Sequence, residues 1–323
     1  MQRYVLGRLA QAVPLLLLIT LLVFGLTLLL PGGPLAQFAD DPSLSAADFQ
    51  QLRHYYGLDQ PAPVRYVQWL GGMLRGDFGT SYASHQPVAT LIGERLPNTL
   101  LLQGLALLAT LAIALPLGVL AAVRQHSWVD YLATLLSSVG HAVPTFWSGL
   151  LAIIFFAVQL RAWGLPALPA TGMVTLGANG GGLPDRLAHL ILPVAVLALF
   201  NASQYTRYVR TAMLDVLGQD YLRTGRAKGL GERAVIVRHA LRNAALPVVT
   251  LLALEVPALF SGAVVVESIF AWPGMGRLFL DSAQRFDYPV LLGLVTIVAT
   301  LVIVMALACD LVYAWLDPRI RLA

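Results

Sequence analysis

Six long stretches of the chain are almost entirely apolar, and the intervals between them are rich in charge, Gly and Pro. They run roughly over Leu9–Leu30, Thr99–Val123, Tyr131–Leu160, Leu187–Tyr205, Leu241–Val266 and Val290–Leu316. Each approaches or exceeds the roughly 20 residues that a helix needs to cross a bilayer. Lipid offers the backbone no hydrogen-bond partner, so apolar runs of this length imply helices that satisfy themselves. The pattern predicts an all-α membrane protein with six transmembrane helices. A secretory leader is the alternative for the first run, since Arg3 and Arg8 precede it. The run is longer than the roughly 7–15 apolar residues of a leader, and Pro31, Gly32, Gly33 and Pro34 do not form a cleavage site, so it reads as a retained helix.

The interval between the first two runs carries helix signals of its own. Ser45 and Asp48 have the spacing of a capping box, followed by Leu52 and Tyr56 at helical spacing and then Gly57. Pro61 and Pro63 can open a second short helix, with Val67, Leu70 and Leu74 on one face up to Gly76. The segment is either a plain external loop or a cap or docking surface. A second interval, about 161–186, is dense in Gly and Pro, including Gly180, Gly181 and Gly182, and is expected to be irregular. A third, Glu267 to Pro289, contains Trp272-Pro273-Gly274-Met275-Gly276, which imposes a re-entrant turn.

Composition agrees with the pattern: of 323 residues 58% are hydrophobic and 12% charged, with a mean hydropathy of +0.72. Charge fixes the orientation, because short cytoplasmic loops are enriched in Lys and Arg. With both termini cytoplasmic, that side holds thirteen of the 21 Lys and Arg residues, although the outer loops are about twice as long. The net charge of +4 follows from this bias and gives no support for nucleic-acid binding. Cys309 is the single cysteine, so no intrachain disulfide is expected, and the six histidines have no ligand spacing, so no metal site is expected.

The fourth interval, about 206–242, holds eight basic residues against Asp215, Asp220 and Glu232. Asp220 favours a helix start, Tyr221 to Lys228 can form two turns and Gly229 can close them. Small residues at Gly225, Ala227 and Gly229 would let another backbone approach, and Arg223 and Arg226 share a face. On composition alone the charges could equally do no more than set topology.

Chemistry of its own is missing. A phosphate-binding loop ends in Gly-Lys-Ser/Thr, whereas the only lysine, Lys228, follows Ala227. Neither Gly-x-Ser-x-Gly nor His-Glu-x-x-His occurs, which argues against a membrane hydrolase. An ionisable group inside a span is costly, and Glu255 is the sharpest such residue, expected near mid-depth with Pro257 two positions on. It either lines a translocation route, favouring a cationic group such as a peptide amino terminus, or is paired at a subunit contact. Asn201, Ser203 and Gln204, with Ser137, Ser138 and His141, form weaker polar stripes that serve as interhelical glue or as a route lining.

The run Tyr221-Leu222-Arg223-Thr224-Gly225-Arg226-Ala227-Lys228-Gly229-Leu230, with Arg238-His239-Ala240-Leu241-Arg242-Asn243-Ala244 and Leu246-Pro247, resembles the coupling-loop signature of ABC-importer permeases of the dipeptide, oligopeptide and nickel class. Gly57-Leu58-Asp59-Gln60-Pro61, Leu74-Arg75-Gly76-Asp77-Phe78-Gly79, Glu94-Arg95-Leu96-Pro97, Val265-Val266-Glu267, Trp272-Pro273-Gly274, Asp287-Tyr288-Pro289 and Asp317-Pro318-Arg319 resemble further landmarks, in order along nearly the whole chain. Gly225 departs from the family's usual Ala, and Glu255 from its usual uncharged polar residue.

The resemblance implies the type I ABC-importer permease fold, and with it a division of the chain. Residues 1–30 would hold a cytoplasmic N-terminus and the first helix, 31–96 an external helical segment, 97–316 the core of helices two to six with the coupling loop at about 206–242, and 317–323 a cytoplasmic tail. It implies that Tyr221, Arg223, Thr224, Gly225, Arg226, Ala227, Lys228 and Gly229 insert into a groove on an ATP-hydrolysing subunit. The implied partners are a second, homologous permease, two ATP-binding subunits that carry ATP and Mg, and an extracytoplasmic solute-binding protein, in a bacterial inner membrane. The chain itself would carry no cofactor and no catalytic residue. Peptides are the expected cargo, with nickel chelates, glutathione and oligosaccharides as alternatives. A proton-coupled carrier using Glu255 would need paired repeats with broken helices, which the sequence does not display. An intramembrane enzyme has only isolated polar residues in its favour.

Overall fold

The computed structural model describes residues 2–29, 35, 45–175, 177 and 181–316. Leu30, the run Pro31 to Pro34, Gly180 and the tail from Asp317 lie outside the described residues. Among the described residues the regular elements are helical, and extended pairing is limited to one bridge between Thr80 and Pro87.

In chain order α1 spans Gln2–Leu29, α2 Ala46–Tyr55, α3 Ala62–Met73 and α4 Val88–Val123. Helix α5 spans Trp128–Ala142 and α6 Thr145–Ala152, the latter continuing through a π-helical stretch, Ile153–Gln159, into α7, Leu160–Ala162. Helix α8 is Leu183–Leu217, α9 Asp220–Ala227 and α10 Glu232–Ala234, which passes through a second π-helical stretch, Val235–Ala240, into α11, Leu241–Ala258. Short helices α12, Val264–Ile269, and α13, Met275–Gln284, precede α14, Tyr288–Leu316.

Among the described residues five helical segments are long and apolar enough to cross a membrane: Ala10–Leu29, Val88–Val123, Thr145–Ala162, Leu183–Leu217 and Tyr288–Cys309. A sixth is present if Glu232–Ala245 and Pro247–Ala258, bent by 44°, count as one. Pro247 accounts for the bend, because it lacks an N–H and its ring crowds the preceding turn.

Several helices depart from the apolar runs. The run Tyr131–Leu160 is broken at Val143-Pro144, since the residue before a proline is pushed out of the helical region, and Val143 has ψ 123°. The run Leu241–Val266 ends as helix at Ala258, beyond which a turn leads to Gly262 with φ +82° and then α12. Helix α4 begins eleven residues before Thr99, and α8 continues twelve residues past Tyr205. Hydropathy marks where lipid can touch a helix, and a helix can run past that boundary into water.

The chain forms two compact units. One comprises the described residues of 1–99, 260–264 and 274–323. There α1 and α14 pack together, while Val88, Leu91 and Ile92 of α4 bury against Met275, Leu278, Val290 and Leu294. Gly293 permits this approach: a Cβ there would stand 2.6 Å from Val88 Cγ1. The capping box forms, with Ser45 and Asp48 exchanging hydrogen bonds at the start of α2, and Gly57 takes φ +64°. Helix α3 lies on α1, where the Tyr66 hydroxyl meets Thr20 Oγ1 at 2.9 Å and the Tyr66 ring meets Phe24 edge-on.

The other unit comprises 100–259 and 265–273. Helix α8 packs along α5 and α11. Small residues make the close approaches, as expected where lipid already solvates apolar side chains and tight van der Waals contact must hold helices together. A Cβ on Gly118 would lie 2.6 Å from Val209 Cβ and 2.9 Å from the Thr206 carbonyl, and one on Gly140 would collide with the Ser203 hydroxyl. Only 11% of the Thr145–Ala162 stretch is buried, so most of that helix needs lipid or another chain against it.

Candidate coupling and translocation sites

Helix α9 has eight residues, too few to be stable alone. Asp220 stands in its first turn, where the amide dipoles favour an anion, and Gly229, φ +80°, turns the chain away at its end. Its order comes from what it touches. Leu222 is 1% exposed and enters a cluster with Ala122 of α4, Val209, Ala212 and Met213 of α8, Val235 and Ala240 of the π-helical stretch, and Ala244 and Val248 of α11. Asn243 Nδ2 donates to the Tyr221 hydroxyl at 2.9 Å. Arg226 donates to both carboxylate oxygens of Glu232, at 3.0 and 2.8 Å, closing the turn between α9 and α10.

The remaining cations of this region point outward. Arg223 is 77% exposed and reaches Asp220 only at 3.7 Å, and Lys228, Arg233 and Arg238 are exposed. Thr224, Ala227 and Gly229 are exposed too. Gly225 is half-buried, and a Cβ there would meet Leu230 Cδ1 at 3.6 Å, an ordinary contact. Thus Tyr221, Arg223, Thr224, Gly225, Arg226, Ala227, Lys228 and Gly229 fall on one short exposed element. Two of these residues have side-chain partners beyond α9, Arg226 at Glu232 and Tyr221 at Asn243.

The sequence did not disclose the anchor. Leu222, Glu232 and Asn243 make the contacts that hold α9 in place, and of these only the apolar Leu222 amid charges could have been noticed. A second missed contact is the pair between Arg210 of α8 and Asp130 of α5, at 2.6 and 2.8 Å. Asp130 is 3% exposed and also accepts from the His126 backbone N–H at 3.0 Å. The Arg210 guanidinium beside it holds its carboxyl below the ordinary carboxylate range, against the opposing effect of burial.

The polar residues expected along a route are only partly gathered. His141 stacks on Phe200 with ring centroids 5.7 Å apart, and His141 and Gln204 line one cleft of about 400 Å³ with Arg207, Tyr208 and Thr211. Ser138, Asn201 and Glu255 are not among its walls. Ser138 is exposed and donates to its own helix, at the Thr134 carbonyl, and Asn201 is half-buried on α8. Glu255 is exposed, but in the last turn of α11 rather than at mid-helix, because the helix stops just after Pro257.

Comparison with known proteins places these features in a class. Residues 114–322 match the model of the binding-protein-dependent transport system inner membrane component, and residues 1–103 match that family's N-terminal model. The chain belongs to this family, and is a permease component of a binding-protein-dependent transport system of the inner membrane. It is similar to the oligopeptide transport system permease protein AppB of Bacillus subtilis, with 46% identity over 99% of this chain and 100% of that one. It is also similar to the dipeptide transport system permease protein DppB of Escherichia coli K12, with 39% identity over 99% of each. Among solved structures, an inward-facing MetNI methionine ABC transporter matches with a TM-score of 0.53 and 18% identity, covering 70% of this chain and 96% of that one. That likeness is one of fold.

Proposed function

We propose that the chain is one permease half of an ATP-driven importer of di- or oligopeptides, paired with a second, homologous permease. Two partner subunits bind ATP and Mg and hydrolyse the nucleotide, and α9 is where they push. The observation that carries this reading is the seating of α9: Leu222 is buried in one apolar cluster with residues of α4, α8, the π-helical stretch and α11, while Arg223 and Lys228 are exposed. A displacement of α9 is therefore passed to the membrane helices that share this cluster, as alternating access requires. In this reading the chain has six spans, with both termini in the cytoplasm and α2 and α3 outside, beneath the solute-binding protein, an orientation supported by the bias of Lys and Arg to one side. The similarity to oligopeptide and dipeptide permeases along the full chain supports a peptide cargo. Glu255, exposed in an apolar helix, supplies a negative charge that suits a peptide's amino terminus.

The test is to reconstitute the importer with its binding protein and measure ATP hydrolysis and uptake across peptides, glutathione and nickel chelates. Stimulation by peptides is expected; stimulation by another class alone removes the peptide assignment, and uptake driven by a proton gradient without ATP removes the mechanism. Charge reversal at Arg223 and Lys228 should keep ATP hydrolysis but lose uptake, and unchanged uptake refutes the coupling role of α9. Glu255→Gln should slow amine-bearing peptides more than blocked ones, and equal slowing refutes its charge role.

A further inference from the structure

The first unit contains a cavity of about 350 Å³ that plays no part in the mechanism above. Its walls come from the end of α1 at Phe24 and Thr27, from α3 at Arg65, Gln68 and Trp69, and from the start of α14 at Tyr288 and Leu292. It therefore stands at adjacent ends of two helical stretches long and apolar enough to cross a membrane, Ala10–Leu29 and Tyr288–Cys309.

Two of its lining residues bury polar atoms that have no protein partner. These are the indole N–H of Trp69 and the hydroxyl of Tyr288, whose residue is 3% exposed. Buried hydrogen-bonding groups are rarely left unsatisfied, so two in one cavity point to a group that belongs there. The polar lining is almost entirely donor-capable: Arg65, Gln68, the indole and several hydroxyls, with no carboxylate among the described lining residues. Burial pushes the Tyr82 hydroxyl up to about 12, so it too keeps its proton. The nearby Asp287 carboxylate is already occupied by the Ser81 hydroxyl and the backbone N–H groups of Tyr82 and Ala83.

Arg65 lies over the Phe24 ring, its guanidinium carbon 5.8 Å from the centroid. A planar guanidinium held by an aromatic face suits the two oxygens of a phosphate or carboxylate. Aromatic and basic side chains at a membrane boundary fit a headgroup above acyl chains. The same helix α1 offers those chains a surface, with Leu21, Leu22 and Leu28 between 43% and 57% exposed. A freely diffusing anion has no use for that surface.

We propose that this cavity binds the phosphate headgroup of an anionic phospholipid, with Arg65 on the phosphate and Trp69 and Tyr288 completing the donor set. In the orientation proposed above, the lipid comes from the outer leaflet. The test uses the whole importer in detergent, titrated with phosphatidylglycerol, phosphatidylcholine, inorganic phosphate and a free dipeptide, with bound mass read by native mass spectrometry. Phosphatidylglycerol should bind preferentially, and Arg65→Gln should weaken it about tenfold or more, the effect of one charge-assisted hydrogen bond. Tyr288→Phe and Trp69→Phe, which keep the rings, should each weaken it by a smaller factor with unchanged thermal unfolding. Phosphatidylglycerol occupancy unaffected by all three substitutions overturns the proposal. Displacement of the lipid by inorganic phosphate or the dipeptide at equal concentration overturns the lipid assignment.

Discussion

Leu222→Ala should release α9 while leaving the rest of the chain folded. The side chain is 1% exposed, in a cluster with residues of α4, α8, the π-helical stretch and α11, so truncation removes buried methyl groups and opens a cavity. Such changes cost about 2–5 kcal/mol, and the adjustable loop around α9 argues for about 3. The other fastenings are weaker: the Arg226–Glu232 pair is exposed, worth about 0.2–1 kcal/mol, and the Asn243–Tyr221 hydrogen bond about 1. An eight-residue helix cannot hold itself, so a loss of about 3 kcal/mol should raise the open population of α9 about a hundredfold. Hydrogen exchange read by mass spectrometry would register this as faster exchange over 220–227, with little change in α8 below Leu217. In the reconstituted importer, solute uptake per ATP hydrolysed should fall. Unchanged exchange over those residues, or an equal effect from Arg226→Ala, refutes the reasoning.

Four further outcomes follow from the same geometry. Asp130→Asn leaves Arg210 without its anion and should destabilise the chain by about 2–3 kcal/mol, less than for a fully buried pair because Arg210 is 27% exposed; a thermal shift in detergent checks this. Because the folded pKa of Asp130 lies below the unfolded value near 3.9, the pair contributes fully above that value and its contribution is lost as pH falls from there through the folded pKa, so Asp130→Asn should flatten the acid limb of a stability profile. Gly118→Ala should cost about 1–3 kcal/mol by forcing apart α4 and α8, whereas Gly225→Ala, whose Cβ has room, should stabilise α9 by up to about 1 kcal/mol. Thermal unfolding checks the first, and hydrogen exchange over α9 the second.

The short helices could be read from the chain because their signals are local. Ser45 with Asp48, Pro61, and Asp220 followed by Gly229 each set a helix end through the nearest few residues, and α2, α3 and α9 begin and end where those residues direct. The spans were legible as apolar runs, but not their ends. The break at Val143-Pro144 came from a proline whose meaning depends on whether the helix can continue past it. Helix α4 starts among polar residues because tertiary contacts of Val88, Leu91 and Ile92 hold it, which hydropathy does not weigh. Among the site residues, the stretch around Tyr221 to Gly229 is contiguous and was visible. The pairing of Asp130 with Arg210, 80 positions apart, and the placing of Leu222 against Val235 and Ala244 depend on how helices cross. Glu255 drew notice by its charge alone, and its position at a helix end follows from Pro257, whose effect depends on where the chain turns next.

The seat of α9 is close to a ball joint. One leucine, in the first turn of the helix, sits in an apolar cluster to which three long helices, α4, α8 and α11, contribute, and the polar ties at either end are weak and wet. A joint of that kind passes on a push but little twist, because rotation about the socket costs only the exchange of exposed contacts. A partner pressing on α9 therefore need not meet it at a fixed angle, and its docking groove can tilt through a working cycle while the same displacement still reaches the lipid-embedded body.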